Sequence, residues 1–395
     1  MNKKSNRVLS LFIIIIFLIV GFGIGAVGCL IYKSYSEIQQ IKVYTKPVED
    51  NHEFNSGDDD HEHTFASGDI SFHFLELGNQ YTGDCTYIKA GDVDILIDAG
   101  SRATSIPTIT SYINNYVTDN KLEYVIVTHA HEDHYAGFST SDGVDSIFDL
   151  YNVGVIIDFA LTNQNPEGKL YKGYVRERNE AVERGAKHYT AADCINELNG
   201  ATYQYEIYNG ITMTILSQRF YFETSNDENN YSVCTLFTQG SKNFLFTGDL
   251  EKEGEASLVS LNNLPHCELY KAGHHGSKTS SNNSLLSVIS PEICCVCCCC
   301  GNVEYTQTNE NRFPTQDFIN RISQYTDKVY VTTLGYIKYN EDNSRWQNDG
   351  FTSMNGNIVV TSNSTQVLVN CSNNNTLLKD TNWFKENRIT PNAWK

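Results

Sequence analysis

Basic residues are scarce in this sequence: 29 Lys and Arg stand against 47 Asp and Glu, for a net charge of -18 and a pI near 5.0. Outside the N-terminal tip no Lys/Arg run occurs. So acidic a surface repels phosphate backbones, which disfavours extended nucleic-acid binding. Long apolar runs are equally few. One is present, residues 9–32, and a single spanning run excludes a membrane conduit built from many helices. No internal repeat is long enough for a solenoid. What the chain does have is 40% apolar residues, enough for a packed core, and length for one large domain with appendages.

Residues 1–8 form a short basic tip with Lys3, Lys4 and Arg7. The run 9–32 is uncharged and long enough to cross about 30 Å of hydrocarbon as a helix. It reads as an uncut single-pass anchor. The alternatives are a cleaved signal peptide, whose apolar core is usually shorter, and lipidation at Cys29, against which Leu30-Ile31-Tyr32 continue the apolar run. Basic residues before the span outweigh the wider-spaced Lys33, Lys42 and Lys46 after it, so the bulk of the chain is expected outside the cell membrane. Residues 33–69 crowd Glu49, Asp50, Glu53, Asp58, Asp59, Asp60 and Glu62 into a stretch with few apolar residues, a flexible acidic tether. His52, His61 and His63 read as solvated residues of that tether. The folded domain is expected over 70–375, with 376–395 as a C-terminal tail.

Within the domain, 86–89 and 93–97 flank Ala90-Gly91-Asp92, a hairpin signal. Residues 106–117 carry apolar positions at helical spacing, and 124–127 reads as a buried strand. Further strands are expected at 153–157, 203–207, 211–216, 232–237, 243–246, 268–271 and 328–332, and a closing hairpin at 357–361 and 366–370. Helices are expected at 174–185, 251–261 and 314–325. This alternation predicts layered α/β packing. Residues 293–300 read ICCVCCCC and hold half of the chain's 12 cysteines. A buried strand is the better reading than a metal or redox site, because adjacent strand residues point to opposite faces.

The strand 124–127 runs into Thr128-His129-Ala130-His131-Glu132-Asp133-His134. Imidazole and carboxylate are ligands for a Zn²⁺-type ion. A loop leaving a strand end can aim His129 and His131 to one side and Asp133 and His134 to the other, which suits two ions. Three more stations lie at strand ends: Asp98 in Asp98-Ala99-Gly100, Asp249 in Phe246-Thr247-Gly248-Asp249, and His274-His275-Gly276-Ser277-Lys278.

Taken in this order, the motifs resemble those of the metallo-β-lactamase superfamily. Leu77-Gly78 with Gly83-Asp84-Cys85, Asn229-Asn230-Tyr231-Ser232-Val233, Leu245-Phe246-Thr247-Gly248-Asp249 and Lys271-Ala272-Gly273-His274-His275-Gly276-Ser277-Lys278 resemble its ComEC-like branch, the hydrolase domain of the competence protein, over roughly residues 70–372. The resemblance implies a four-layer αββα sandwich, here preceded by one transmembrane helix, and a metal-dependent hydrolase with two divalent ions, Zn²⁺ first and Mn²⁺ second. It implies Asp98 as a carboxylate orienting the His loop, Asp249 as the bridge between the ions, and one of His274 and His275 as the last ligand, leaving open which. Asp133 and Asp249 would take part in catalysis, with Asp133 steering the attacking hydroxide. Ser277 and Lys278 would hold a substrate anion or cap the following helix. A phosphodiester or other small-molecule substrate is favoured over a β-lactam. Departures from the family pattern are the long Gly78–Gly83 turn, the absence of a histidine before Pro314, and Asn229, Asn230 and Ser232 where a third-motif histidine would fall. That last loss keeps a second reading open: a non-catalytic metal-binding or surface-interaction protein.

Overall fold

The computed structural model describes residues 69–139, 145–339, 346–363 and 365–395. The basic tip, the expected span 9–32 and residues 33–68 of the tether lie outside the described residues. Among the described residues no helix is long and apolar enough to cross a membrane.

Sixteen strands and nine α-helices are labelled here in chain order. The chain opens with β1 (Ile70–Phe74), β2 (Thr86–Ala90), β3 (Val93–Ile97), α1 (Ile106–Ile113), β4 (Lys121–Ile126), α2 (Glu132–Tyr135), α3 (Ile147–Leu150), β5 (Asn152–Asp158), α4 (Lys169–Glu183), β6 (Lys187–Thr190) and α5 (Ala191–Asn196). A second run follows: β7 (Gln204–Tyr208), β8 (Ile211–Ile215), β9 (Thr235–Gln239), β10 (Lys242–Phe246), α6 (Lys252–Leu261), β11 (Leu269–Lys271), α7 (Asn283–Ile289), β12 (Ile293–Cys300), α8 (Gln316–Ile322), β13 (Val329–Tyr339) and β14 (Trp346–Ser353). The chain then crosses back through β15 (Ile358–Ser362) and β16 (Val367–Cys371) and ends near α9 (Asn382–Asn387).

These strands make two eight-stranded sheets, ordered β16-β15-β1-β2-β3-β4-β5-β6 and β14-β13-β12-β11-β10-β9-β8-β7. The sheets face each other across one apolar core, in which Phe72 of β1 meets Phe237, Phe244 and Phe246 of β9 and β10. A second core lies between the first sheet and α1, α3 and α4, and a third between the second sheet and α6, α7 and α8. The layers thus run helix, sheet, sheet, helix. Burying both faces of each sheet explains why the central strands read as continuous apolar runs instead of alternating ones.

The cysteine run is β12, buried throughout. Cys295 and Cys297 enter the core between the sheets, whereas Cys294, Cys298 and Cys300 enter the helix-side core. This is the two-residue alternation of a strand. Several expected elements shift. The strand expected at 328–332 runs on to Tyr339, and the helix expected over 106–117 ends at Ile113. The helix expected at 174–185 starts earlier, at Lys169, because Gly173, Tyr174, Glu177 and Ala181 form one buried face. The strand expected from 232 begins at Thr235; residues Glu228–Tyr231 form a 3₁₀ turn, and Val233 N–H is spent on Thr128 O at 2.9 Å. The segment 376–395, set apart as a tail in the sequence reading, packs onto the domain. Leu378, Phe384 and Trp394 enter the third core, and Trp394 Nε1 donates to Thr326 O at 2.9 Å.

Candidate metal centre

The site collects at the ends of β3, β4, β10 and β11, where the chain leaves two sheets at one edge of their shared core. Asp98 follows β3 in a left-handed conformation (φ 57°). Its Oδ1 accepts the Thr128 backbone N–H at 2.8 Å and its Oδ2 the Thr128 hydroxyl at 2.8 Å. The same Oδ2 lies 2.8 Å from His134 Nδ1. Asp98 therefore contacts both the start of the His loop and one imidazole. Ala99 N–H donates to His134 O at 2.8 Å, and Asp84 N–H to Asp133 O at 3.0 Å, which stitches the loop down from two sides.

Asp249 follows β10 through Gly248, whose positive φ (53°) and lack of a side chain let the turn pass Ser232 and Thr128. Asp249 N–H donates to Ser232 Oγ at 3.0 Å. Asp249 Oδ2 is the hub of the site: His134 Nε2 lies at 3.1 Å, His275 Nε2 at 3.2 Å and His274 Nε2 at 3.9 Å. Asp133 Oδ2 joins at 3.3 Å from His275 Nε2. The His pair sits in a 3₁₀ segment in which both residues hold positive φ (46° and 53°), a conformation costly for side chains with a Cβ and held by its surroundings. The result separates the two rings. His275 is buried, with Nδ1 2.8 Å from Cys297 O, so Nδ1 carries the proton and Nε2 is left to bind. His274 is partly exposed, its Nδ1 near Glu251 (3.4 Å) and Thr279 (3.2 Å). Geometry thus places His275 in the buried cluster and His274 at its rim.

His129 is buried, with Nε2 3.0 Å from His131 Nδ1 and Nδ1 3.4 Å from Ser232 Oγ. Its ring packs at a tilt against that of His134, with centroids 4.1 Å apart and planes 50° from parallel. His129 and His131 therefore lie beside the cluster, on the His134 flank. Ser232 stands where a third-motif histidine would fall and gives His129 a hydroxyl neighbour in its place.

Ser277 and Lys278 make their polar contacts outside the Asp133–Asp249 cluster, Ser277 by way of Thr279, which also lies 3.2 Å from His274 Nδ1. Ser277 Oγ pairs with Thr279 Oγ1 at 2.9 Å, and the exposed Lys278 donates to Asn311 Oδ1 at 3.1 Å. Neither caps α7, which begins after Asn282.

Four residues, Asp84, His134, Asp249 and His275, each offer an atom of ligand type within 4.8 Å of the others. Asp84 stands apart on inspection. Its oxygens face the Nδ1 atoms, 3.7 Å from that of His134 and 3.6 Å from that of His275, behind the rings. The Nε2 atoms face Asp249 and Asp133. One ion can therefore meet His134 Nε2, His275 Nε2, Asp249 and Asp133, with Asp84 behind. Buried atoms without a hydrogen-bond partner include His134 Nε2 and His275 Nε2. Orphaned buried polar atoms are costly, and these two are of the kind a divalent ion takes. The donor set fits the implied metals.

The charges agree. Burial works against protonated His134 and His275, but Asp249 with Asp98, and Asp249 with Asp84, hold both imidazoles well above the ordinary histidine value. Asp133 and Asp249 are kept well below the usual carboxylate range by the facing imidazoles, despite burial. Burial, then His134 and His131, push His129 well below, so it is neutral and ready to donate a lone pair.

Several contributors escaped the sequence reading. Tyr305 hydroxyl donates to Asp133 Oδ2 at 2.7 Å, from a ring packed on Phe313, which also covers His274 and His275. Glu228 accepts Ala130 N–H at 3.3 Å, and Gln164 Nε2 donates to Ala130 O at 2.6 Å, pinning the middle of the His loop. Nothing near Tyr305 or Gln164 in the sequence signals a site. Glu228 directly precedes the Asn229–Val233 motif, and Asp84 and Lys271 sit inside motifs, all three without a role assigned.

Comparison with known proteins gives matches of three kinds. The model of the Metallo-beta-lactamase superfamily matches residues 78–140. ComE operon protein 3 of Bacillus subtilis (strain 168) is 40% identical over 53 residues, which is 13% of this chain and 7% of that relative's length. Among solved structures, the metallo-beta-lactamase fold protein YhfI from Bacillus subtilis is 11% identical, covers 68% of this chain and 98% of its own, and has a TM-score of 0.39. A probable metal-dependent hydrolase from Staphylococcus aureus is 16% identical over 47% of this chain and 74% of its own, with a TM-score of 0.27. The segment 78–140, which carries Asp84, Asp98 and the whole His loop, is thus similar to the metallo-β-lactamase superfamily, the resemblance that its motifs carry.

Proposed function

We propose that this chain is a metal-dependent hydrolase acting on phosphodiester bonds, built as a four-layer αββα domain and tethered outside the cell membrane by residues 9–32. The observation that carries the reading is the meeting of His134 Nε2, His275 Nε2 and Asp133 at Asp249 Oδ2, with each Nδ1 fixed from behind by Asp98 or Cys297 O. These four preoriented donors are buried together, and none of them belongs to the apolar clusters that make the cores.

Asp133, His134, Asp249 and His275 would hold one ion; His129, His131 and Asp249 the other. Bound there, a pair of Zn²⁺ or Mn²⁺ ions supplies polarisation of a phosphoryl oxygen and a hydroxide nucleophile at neutral pH. The chain's own part is to fix tautomers, exclude bulk water and orient Asp133, which Tyr305 and His275 hold from two sides. The acidic surface favours a small or exposed phosphodiester over a long polyanion.

The second reading, metal binding without catalysis, draws on Ser232: the hydroxyl beside His129 is a poorer metal donor than the imidazole it replaces. Turnover of bis-p-nitrophenyl phosphate by protein loaded with Zn²⁺ or Mn²⁺ decides between them. Metal bound without turnover of this or any other phosphodiester would favour the second. The anchor is tested separately: full-length protein recovered uncleaved in the soluble fraction would remove it.

A further inference from the structure

Lys271 closes β11 and is 3% exposed. A lysine so deeply buried costs several kcal/mol unless paired. It is paired with Asp84, in close contact, and Asp84 is buried too. The pair is itself locked to the site: Asp84 N–H donates to Asp133 O, and Gly100 N–H to Asp84 O, both at 3.0 Å. From this position the ammonium lies 3.6 Å from Asp249 Oδ1 and 3.4 Å from Gly248 O. Asp249 is thereby divided. Oδ2 faces three imidazoles; Oδ1 faces a fixed cation.

We propose that Lys271 is a positioning residue of the metal centre: its ammonium, held by Asp84, engages Asp249 Oδ1, so that the carboxylate presents the single oxygen Oδ2 to the ions. This rests on the metal-centre reading above. The buried pair would set the rotation of the Asp249 carboxylate about its Cβ–Cγ bond by charge, since the ammonium lies 3.6 Å from Oδ1 and that oxygen has no hydrogen-bond partner among the described residues. It also counts as one permanent positive charge beside Asp84, Asp98, Asp133 and Asp249, so the site tolerates four carboxylates before any ion arrives.

A rival arrangement is that Oδ1 is itself an ion ligand and the lysine only offsets charge. The two differ in sign. If Lys271 positions Asp249, its removal weakens metal binding. If it competes with an ion for Oδ1, its removal leaves binding unchanged or tightens it.

The test is equilibrium dialysis of the full-length protein in detergent against Zn²⁺ and Mn²⁺, with metal per chain by elemental analysis and circular dichroism for folding. Lys271→Met alone leaves Asp84 unpaired and is at risk of misfolding. The double variant Lys271→Met/Asp84→Asn removes both charges and leaves none stranded. We expect the double variant to be folded and to bind metal about 10–100-fold more weakly, the usual scale for losing a residue behind a ligand. Lys271→Arg, which keeps the charge, is expected to recover part of the loss. A folded double variant with wild-type or tighter affinity overturns the proposal while leaving the metal centre intact. Wild-type protein that takes up neither metal overturns both together.

Discussion

Gly100 offers a sharp test of the way the His loop is seated. A Cβ at Gly100 would lie 1.6 Å from Asp133 O, 2.0 Å from Asp133 C and 2.6 Å from His134 N. Comfortable separation is about 3.5 Å, so Gly100→Ala requires a retreat of about 2 Å between two backbone segments. No flexible side chain is available to yield. The movement breaks Ala99 N–H to His134 O (2.8 Å) or Gly100 N–H to Asp84 O (3.0 Å), and it displaces Asp133 and His134 together. Overpacking costs about 1–3 kcal/mol, and an orphaned buried backbone group about 1–3 kcal/mol more. The sum, about 2–6 kcal/mol, is a large part of a typical stability of about 5–15 kcal/mol. At roughly 2–3 °C per kcal/mol for a domain of this size, the melting temperature should fall by roughly 4–18 °C. A misplacement of about 1 Å in a reactive site costs about 100-fold in rate, so turnover should be lost even at temperatures where the variant is folded. Gly210→Ala is the control: its φ is also positive (81°), but a Cβ there meets nothing within 4 Å, so only about 1–2 kcal/mol of backbone strain is expected. Circular dichroism melts and metal per chain are the measurements. Gly100→Ala with the control's small shift and full metal content would refute the described seating of the loop on the β3 end.

Asp249→Ala removes the shared oxygen and should lose more metal than His131→Ala or His134→Ala, with far-UV circular dichroism unchanged; wild-type metal content in Asp249→Ala would sink the two-ion reading. Metal uptake should tighten with rising pH. In the metal-free protein His134 and His275 titrate well above 6.5, so ions must displace protons there. The same shift stabilises the metal-free fold fully below about pH 6.5 and is lost as pH rises through the raised values; dialysis at pH 6, 7 and 8 with pH-independent affinity would contradict it. The six thiols of Cys294–Cys300 are buried and, as thiols, pushed up by burial. They should resist labelling until denaturant is added, whereas partly exposed Cys371 reacts first; rapid native labelling of most of the run would disprove the buried strand.

Local chemistry was enough to make much of this molecule legible from its sequence. Strand–loop stations at 98, 129–134, 249 and 274–275 are visible because ligand residues end apolar runs, and both features lie within a few residues of each other. The cysteine run reads as a strand because period-two geometry forbids convergence on one ion. Three things depended on tertiary structure. The choice of His275 over His274 follows from two consecutive left-handed residues and from Cys297 O, which lies 22 positions away. The contacts of Tyr305, Glu228 and Gln164 join residues 172, 98 and 34 positions apart, and no periodicity reports such pairs. The Asp84–Lys271 pair is of the same kind: each residue is conspicuous in its own motif, but only the packing of two sheets brings the carboxylate of one loop against the ammonium of a distant strand. Ligand identity is a property of residue type and spacing, which a sequence carries; the side of an imidazole that faces an ion is a property of what stands behind it, which only the folded chain supplies.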